Sequence, residues 1–366
     1  MEILRDFNFI PYGDNLYTNH GKISFDSGTL LDIPSEGYYI VPGFIDQHIH
    51  GANGSDVMDG THESIDNMCK VLVKEGTTGF LPTTTTCSVE DITKALENIY
   101  QYQKHNEGAI IYGVHLEGPF ISEKFIGAQN PKYVQVPNKK VFDELNVHQL
   151  VKLITYAPED DVDLLFTKHL VHRGVIPSVG HSNATCKQVN DAIEYGLGNF
   201  THFHNASSGH HHRNPGVVTS GLANKNVNVE LIVDGIHLHE DVVKMVYEIK
   251  GWRNITLITD AMRAKSMPDG EYDFGGQTVI KVGNEVRLAD HTLAGSVLEM
   301  NQAIKNMHEF SGCPLNEAFL MASFNPAQLL GLNNVGLITE GFDCNITVLD
   351  KEFNVVATYI KGERLY

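Results

Sequence analysis

Eight short apolar runs, each closed by a polar or glycine break, set the tightest limit on how this chain folds. They are YYIVPGFIDQHIHG, TTGFLPTTTT, AIIYGVHLEGP, LITYAPE, GVIPSVGHS, NFTHFHNA, NVELIVDGIH and NITLITDAM. Stretches with helical periodicity lie between them, among them 64–76, 185–196 and 240–251. Strands alternating with helices mean parallel pairing through right-handed crossovers, and eight such units close a (β/α)8 barrel. A doubly wound open sheet competes with it. The barrel is favoured by where the chemistry falls: His48, His50, Glu117, His181, His202, His237 and Asp260 all sit at or just past the C-terminal end of a run. That edge carries function in barrels, and closure makes its residues converge.

The flanks follow another pattern. Residues 1–40 read as short strands with turns at Tyr12-Gly13-Asp14-Asn15 and His20-Gly21, and 341–366 as two or three strands with a turn near Lys361-Gly362. Neither can bury a core alone. The expectation is a small β-sandwich domain from both termini (1–41 plus 341–366) beside a barrel of 42–340.

PGFIDQHIHG puts His48, His50 and Asp46 on one strand face, because side chains alternate. Two neighbouring imidazoles repel when protonated, and a shared cation resolves the conflict. Glu117, His181, His202, His48, His50 and Asp260 form a nitrogen and carboxylate set suited to zinc, with iron, manganese or cobalt as alternatives. Three ligands hold one divalent ion; six hold two, with Glu117 able to bridge. Such an ion ionises water near neutral pH and polarises a carbonyl. Asp260 is then suited to carry a proton from the water to a leaving nitrogen. Metal-assisted hydrolysis of an amide or ester is the class implied.

Composition narrows the partners. Against 27 basic residues stand 45 acidic ones, a net charge of −18, which argues against nucleic acid or an anionic membrane. Five cysteines without a CxxC pair suggest a reduced, cytoplasmic protein. MEILRDFNFI lacks the apolar stretch of a signal peptide, and nothing approaches a run of about 20 apolar residues. Gly275-Gly276, with Gly270, reads as a turn, and no nucleotide-binding glycine loop is present.

PGFIDQHIHG, HLEGPF, GHSNAT, FTHFHNA, HHRNPG, DGIHL, LITDAM and LAGS together resemble, in order from about residue 40 to 300, the amidohydrolase superfamily. Within it they resemble the deacetylases of N-acetylglucosamine 6-phosphate. The resemblance implies Glu117, His181 and His202 as the core metal site, Asp260 as catalytic acid and base, and His237 as the group polarising the acetyl carbonyl. Ala128, Asn205, Ala206, Arg213, Leu293, Ala294 and Gly295 would line the sugar-phosphate pocket. Arg213 offers a planar fork to phosphate oxygens, and the Asn205-Ala206 backbone can add donors. His115 is expected beside the ligands, not among them.

Four features depart from the family: His204 replaces an aromatic, Gln129 a His and Asn214 a Glu, and the loop holds His210-His211-His212. They bear on the sugar more than on the reaction, so N-acetylgalactosamine 6-phosphate is the first alternative. A cyclic-amide hydrolase is the second, although LITYAPE lacks the lysine such sites use. An inactive scaffold on the same barrel is the third. The long polar loop around His210–Arg213 suggests a homodimer in which it reaches a neighbouring subunit.

Overall fold

The computed structural model describes residues 16–33, 37–103 and 107–366; the expected turn at Tyr12–Asn15 lies outside these. Eight parallel strands pair in chain order: β1 (Phe44–Ile49), β2 (Thr77–Thr84), β3 (Val114–Glu117), β4 (Val151–Tyr156), β5 (Ile176–Val179), β6 (Asn199–Phe200), β7 (Asn228–Leu231) and β8 (Ile255–Leu257). The tail of β8 joins β1 through a parallel bridge between Ala261 and Ile49. There the Asp260 N–H donates to the His48 carbonyl at 2.9 Å, and the His50 N–H to that of Ala261 at 2.8 Å. The sheet is thereby a nearly closed barrel, the architecture expected from the eight runs.

A helix follows every strand: His62–Leu72, Val89–Tyr102, Lys139–Leu145, Leu165–His172, Cys186–Glu194, Val217–Ala223, Glu240–Lys250 and Met300–Ser311. Their starts and buried faces are written locally. Ser88 Oγ accepts the Asp91 N–H and caps the second helix, a contact worth about 1 kcal/mol. Ile92, Ala95, Leu96, Ile99 and Tyr102 then recur at helical spacing and bury against the sheet. Thr185 and Gln188 form a reciprocal capping box for the fifth helix.

The barrel interior beneath the rim is polar. Asn228 donates to Asn199 (2.7 Å) and Asn199 to Ser178 (2.9 Å); hydroxyl contacts of 2.6 Å then link Ser178 to Thr201 and Thr201 to Thr155. The usual barrel filling is branched aliphatic. Here the buried hydroxyls and amides satisfy one another, which burial away from water demands.

Tyr39–Pro42 pairs antiparallel with Ile346–Leu349, which continues through Val355–Ile360 to Glu363–Arg364. A second small sheet joins Tyr17–Asn19, Lys22–Ser24 and Thr29–Leu30. Leu16, Ile23, Leu31, Ile346, Val348 and Tyr359 form their common core. A small antiparallel domain built from both ends of the described chain therefore sits beside the barrel. Between β8 and its helix lies a feature the sequence showed only as a turn: a three-stranded antiparallel sheet of Gly270–Phe274, Gln277–Val282 and Glu285–Arg287. Gly275 and Gly276 close its first hairpin at φ of 59° and 79°, the left-handed pair that a two-residue turn requires.

Candidate metal and active site

Six ligand-type residues meet at the C-terminal rim in two buried clusters: His48, His50 and Asp260, and Glu117, His181 and His202. Glu117 touches both. Its Oε1 lies 3.1 Å from His202 Nε2, 3.4 Å from His181 Nε2 and 3.5 Å from His48 Nε2, and its Oε2 lies 3.3 Å from His50 Nε2. Asp260 Oδ1 is 3.3 and 3.2 Å from the Nε2 atoms of His48 and His50. His181, His202 and Asp260 turn off their strand ends with positive φ of 47°, 28° and 48°. Such conformations are uncommon outside glycine and gather at functional sites.

The donor chemistry tests whether a cation fits. His48 Nδ1 faces Glu230 Oε2 at 3.1 Å, His50 Nδ1 the Thr83 carbonyl at 3.2 Å, and His181 Nδ1 the Phe125 carbonyl at 2.9 Å. Each Nδ1 faces an acceptor, so it carries the proton and Nε2 is left with a bare lone pair. Yet the Nε2 atoms of His48 and His50 lie 3.3 Å apart, and those of His181 and His202 3.1 Å apart, with carboxylate oxygens beside them. At His48, His50 and His181 acceptors converge on carboxylate acceptors. A divalent cation in each cluster meets that arrangement.

Without a cation, protons must fill the role. Burial alone would lower His48 and His50, but Asp260 and Glu117 outweigh it and raise them to about 9 and about 10. Burial would raise Asp260, and the two histidines hold it at about 2 instead. Glu117 is likewise held well below its ordinary range by His48, His181 and His202 against the effect of burial. His115 is pushed down to about 3 by burial and by the charge of His48, and its Nε2 meets Thr155 Oγ1 at 2.7 Å. It is therefore neutral and lies beside the ligands, edge-on to His48.

A cavity of about 300 Å3 opens on the clusters, lined by His50, Glu117, Gly127, Ala128, Gln129, His181, His202, Asn205, Ala206, His237, Asp260, Phe274, Thr292, Leu293 and Gly295. That is room for a small molecule. His48 lies behind His50, fully buried. Two expected lining residues are elsewhere. Ala294 packs its methyl into an apolar cluster with Met262, Val279 and Val286. Arg213 is exposed and outside the lining, on a loop where His211 Nδ1 accepts the N–H groups of Arg213 and Asn214. Among the described residues no lysine or arginine lines the cavity. His210–His212 are exposed and His204 packs on Phe203, both outside the lining.

Several groups escaped the sequence reading. His237 Nδ1 meets Asp234 Oδ2 at 2.6 Å, and Asp234 Oδ1 accepts the His237 and Ile236 N–H groups. Burial would lower His237, but Asp234 outweighs it and raises it. Gln129 donates to Glu117 Oε2 at 2.5 Å while its oxygen accepts the Thr86 N–H. Phe274, from the inserted sheet, stands edge-on to His50 and walls the cavity. Glu230 lies fully buried beneath the rim. The readable signal was a lone glutamate inside the apolar run NVELIV: a charge there needs partners.

A nearly closed parallel barrel with carboxylates and imidazoles converging at its C-terminal rim defines a metal-dependent hydrolase. The chain belongs to the amidohydrolase family, whose model matches residues 39–365. It is 41% identical to an N-acetylglucosamine-6-phosphate deacetylase of Lysinibacillus sphaericus, over 91% of this chain and 87% of that one. A protein of the same description from Bacillus subtilis is 38% identical, over 94% and 90%. Among solved structures, the N-acetylglucosamine-6-phosphate deacetylase of Thermotoga maritima superposes with a TM-score of 0.88 at 35% identity, covering 96% of this chain and 94% of that one.

Proposed function

We propose that this chain hydrolyses N-acetylglucosamine 6-phosphate to glucosamine 6-phosphate and acetate, in amino sugar catabolism. The observation that carries it is that Asp260 and His237 line the same small-molecule cavity as the Glu117–His181–His202 cluster; the named relatives agree. Glu117, His181 and His202 would hold one divalent cation, and His48, His50 and Asp260 a second, zinc being the metal best suited to the donors. Cations held there supply Lewis-acid polarisation of a carbonyl and ease the ionisation of water.

The side chains do the rest. Asp260 takes a proton from the attacking water as its oxygen bonds to the acetyl carbon. It returns that proton to the nitrogen as the C–N bond breaks and acetate leaves. Asp234 fixes His237 through Nδ1, so a protonated His237 donates from Nε2 to the carbonyl oxygen as negative charge builds there. Ala128, Asn205, Ala206, Leu293 and Gly295 shape the sugar subsite. Since among the described residues no lysine or arginine lines the cavity, Arg213 serves the phosphate from a neighbouring subunit, with the Asn205-Ala206 backbone, in a homodimer. We assign 42–340 to the barrel and 1–41 with 341–366 to the small domain.

Five unpaired cysteines support a reducing, cytoplasmic setting. Among the described residues no helix is long and apolar enough to cross a membrane. The charge of −18 disfavours nucleic acid and anionic membranes as partners. The deciding experiment measures acetate release from the two epimeric sugar phosphates after reconstitution with single metals. Strong preference for the gluco epimer is expected; equal or better turnover of N-acetylgalactosamine 6-phosphate overturns the substrate assignment.

A further inference from the structure

The carboxylate of Glu230, on β7, lies fully buried under the rim with four donors around it. Its Oε1 accepts Gln47 Nε2 at 2.7 Å and Asn199 Nδ2 at 2.9 Å. Its Oε2 receives the backbone N–H of His202 at 3.1 Å and faces His48 Nδ1 at 3.1 Å. Two oxygens offer about four lone-pair sites, so every one is engaged. A carboxylate so surrounded has no orientation to choose from. It fixes the ring plane of His48 and leaves Nε2 bare toward Glu117, His50 and Asp260. The other three histidines have no such partner: Nδ1 of His50 and His181 meets a backbone carbonyl, and that of His202 has no hydrogen-bond partner.

We infer that Glu230 is a positioning residue that selectively builds the His48–His50–Asp260 half of the centre, and so decides whether the chain holds two cations or one. The inference rests on the two-cation reading above. It touches no substrate and acts through His48. An outer carboxylate behind a metal-bound histidine typically changes metal affinity by 10–100-fold, and here the effect should fall on one cluster alone. Its contact with the His202 backbone holds the loop, not the ring, so the second cluster keeps its ligands.

Glutamine is the informative replacement. Its oxygen can still accept from one side, but its NH2 must then face another donor: Gln47 and Asn199 on one side, or His48 Nδ1–H and the His202 N–H on the other. Chelator-stripped wild type and Glu230→Gln are titrated with zinc by calorimetry and with manganese by electron paramagnetic resonance, read as stoichiometry. Wild type should bind two equivalents. The variant should keep the first with little change and bind the second about 10–100-fold more weakly, with loss of the signal from coupled manganese ions. A merely structural defect would weaken both equivalents together and so overturns the inference, as does a variant that binds both like wild type. Wild type that binds a single equivalent overturns the two-cation reading and the inference with it. Should the variant not fold, histidine nitrogen NMR on wild type decides: a His48 protonated at Nδ1 supports the inference, and a bare Nδ1 overturns it.

Discussion

At the scale of single residues, the proposed catalysis narrows to two side chains and their supports. Asp260→Asn removes the group proposed to move the proton, and kcat should fall by about 10²–10⁴. Metal analysis should still find the cation of Glu117, His181 and His202; a kcat near wild type would refute the assigned role. His237 sets a pH limit whose sign follows from its surroundings. Burial lowers its pKa and Asp234 more than reverses this, so Nε2 keeps its proton to a higher pH than an ordinary histidine. In Asp234→Asn burial prevails, and the alkaline limb of the kcat/KM profile should move to lower pH; an unmoved limb would show that another group titrates. That these residues converge was legible in the sequence. Histidines at alternate strand positions and carboxylates at run ends announce a centre because ligand chemistry needs those residue types. Glu230 and Asp234 were not, since a positioning group is defined by what surrounds it in space, and one glutamate among valines carries no direction.

At the scale of elements, the eight strands were readable because each is a short β-rich run with a polar end. Their lengths were not. NFTHFHNA contributes only Asn199–Phe200 to the sheet, since His202, at φ 28°, turns the chain away to face the centre. The inserted three-stranded sheet was hidden because its strands alternate polar and apolar residues over a few positions, a pattern short loops share. Behind that insertion, on the loop leaving β8, sits a buried ion pair: Lys265 Nζ donates to Glu75 Oε1 at 2.6 Å, and Glu75 Oε2 accepts the Met300 N–H at 3.2 Å. The pair ties β8, the start of β2 and the last barrel helix together. Lys265→Met removes the charge that holds Glu75 down, so Glu75 must take up a proton to stay buried, and stability at pH 8 should drop by about 1–3 kcal/mol in urea unfolding. Burial, against the pull of Lys265, raises Glu75 from an ordinary 4.5 to about 7. Between those values the folded chain holds a proton that the unfolded chain has released, so this group makes stability fall as pH rises through the window. Glu75→Gln should remove that part of the slope in melts between pH 4.5 and 7.5; an unchanged slope would place the proton elsewhere.

At the scale of the whole molecule, the rim clusters recruit side chains from strands β1, β3, β5, β6 and β8, so cation loading and global stability are one equilibrium. Ligands that bind only the folded state raise its stability with their free concentration. Stripping with a chelator should therefore lower the melting temperature, and readdition of zinc should restore it; insensitivity to both would mean the clusters are held by protons alone. Light scattering under assay conditions should give twice the chain mass, and a monomeric mass would refute the shared phosphate subsite. The smaller sheet carries a different consequence. Tyr39–Pro42 is made before the barrel, yet its register partner, Ile346–Leu349, is made only after it. Thr347 and Thr358 reach from that late segment and its neighbour to the Gly76 and Val73 carbonyls, just before β2. A nascent chain on the ribosome thus carries an unpaired strand edge while the whole barrel is translated, and it is sealed only once the segment that follows the barrel emerges.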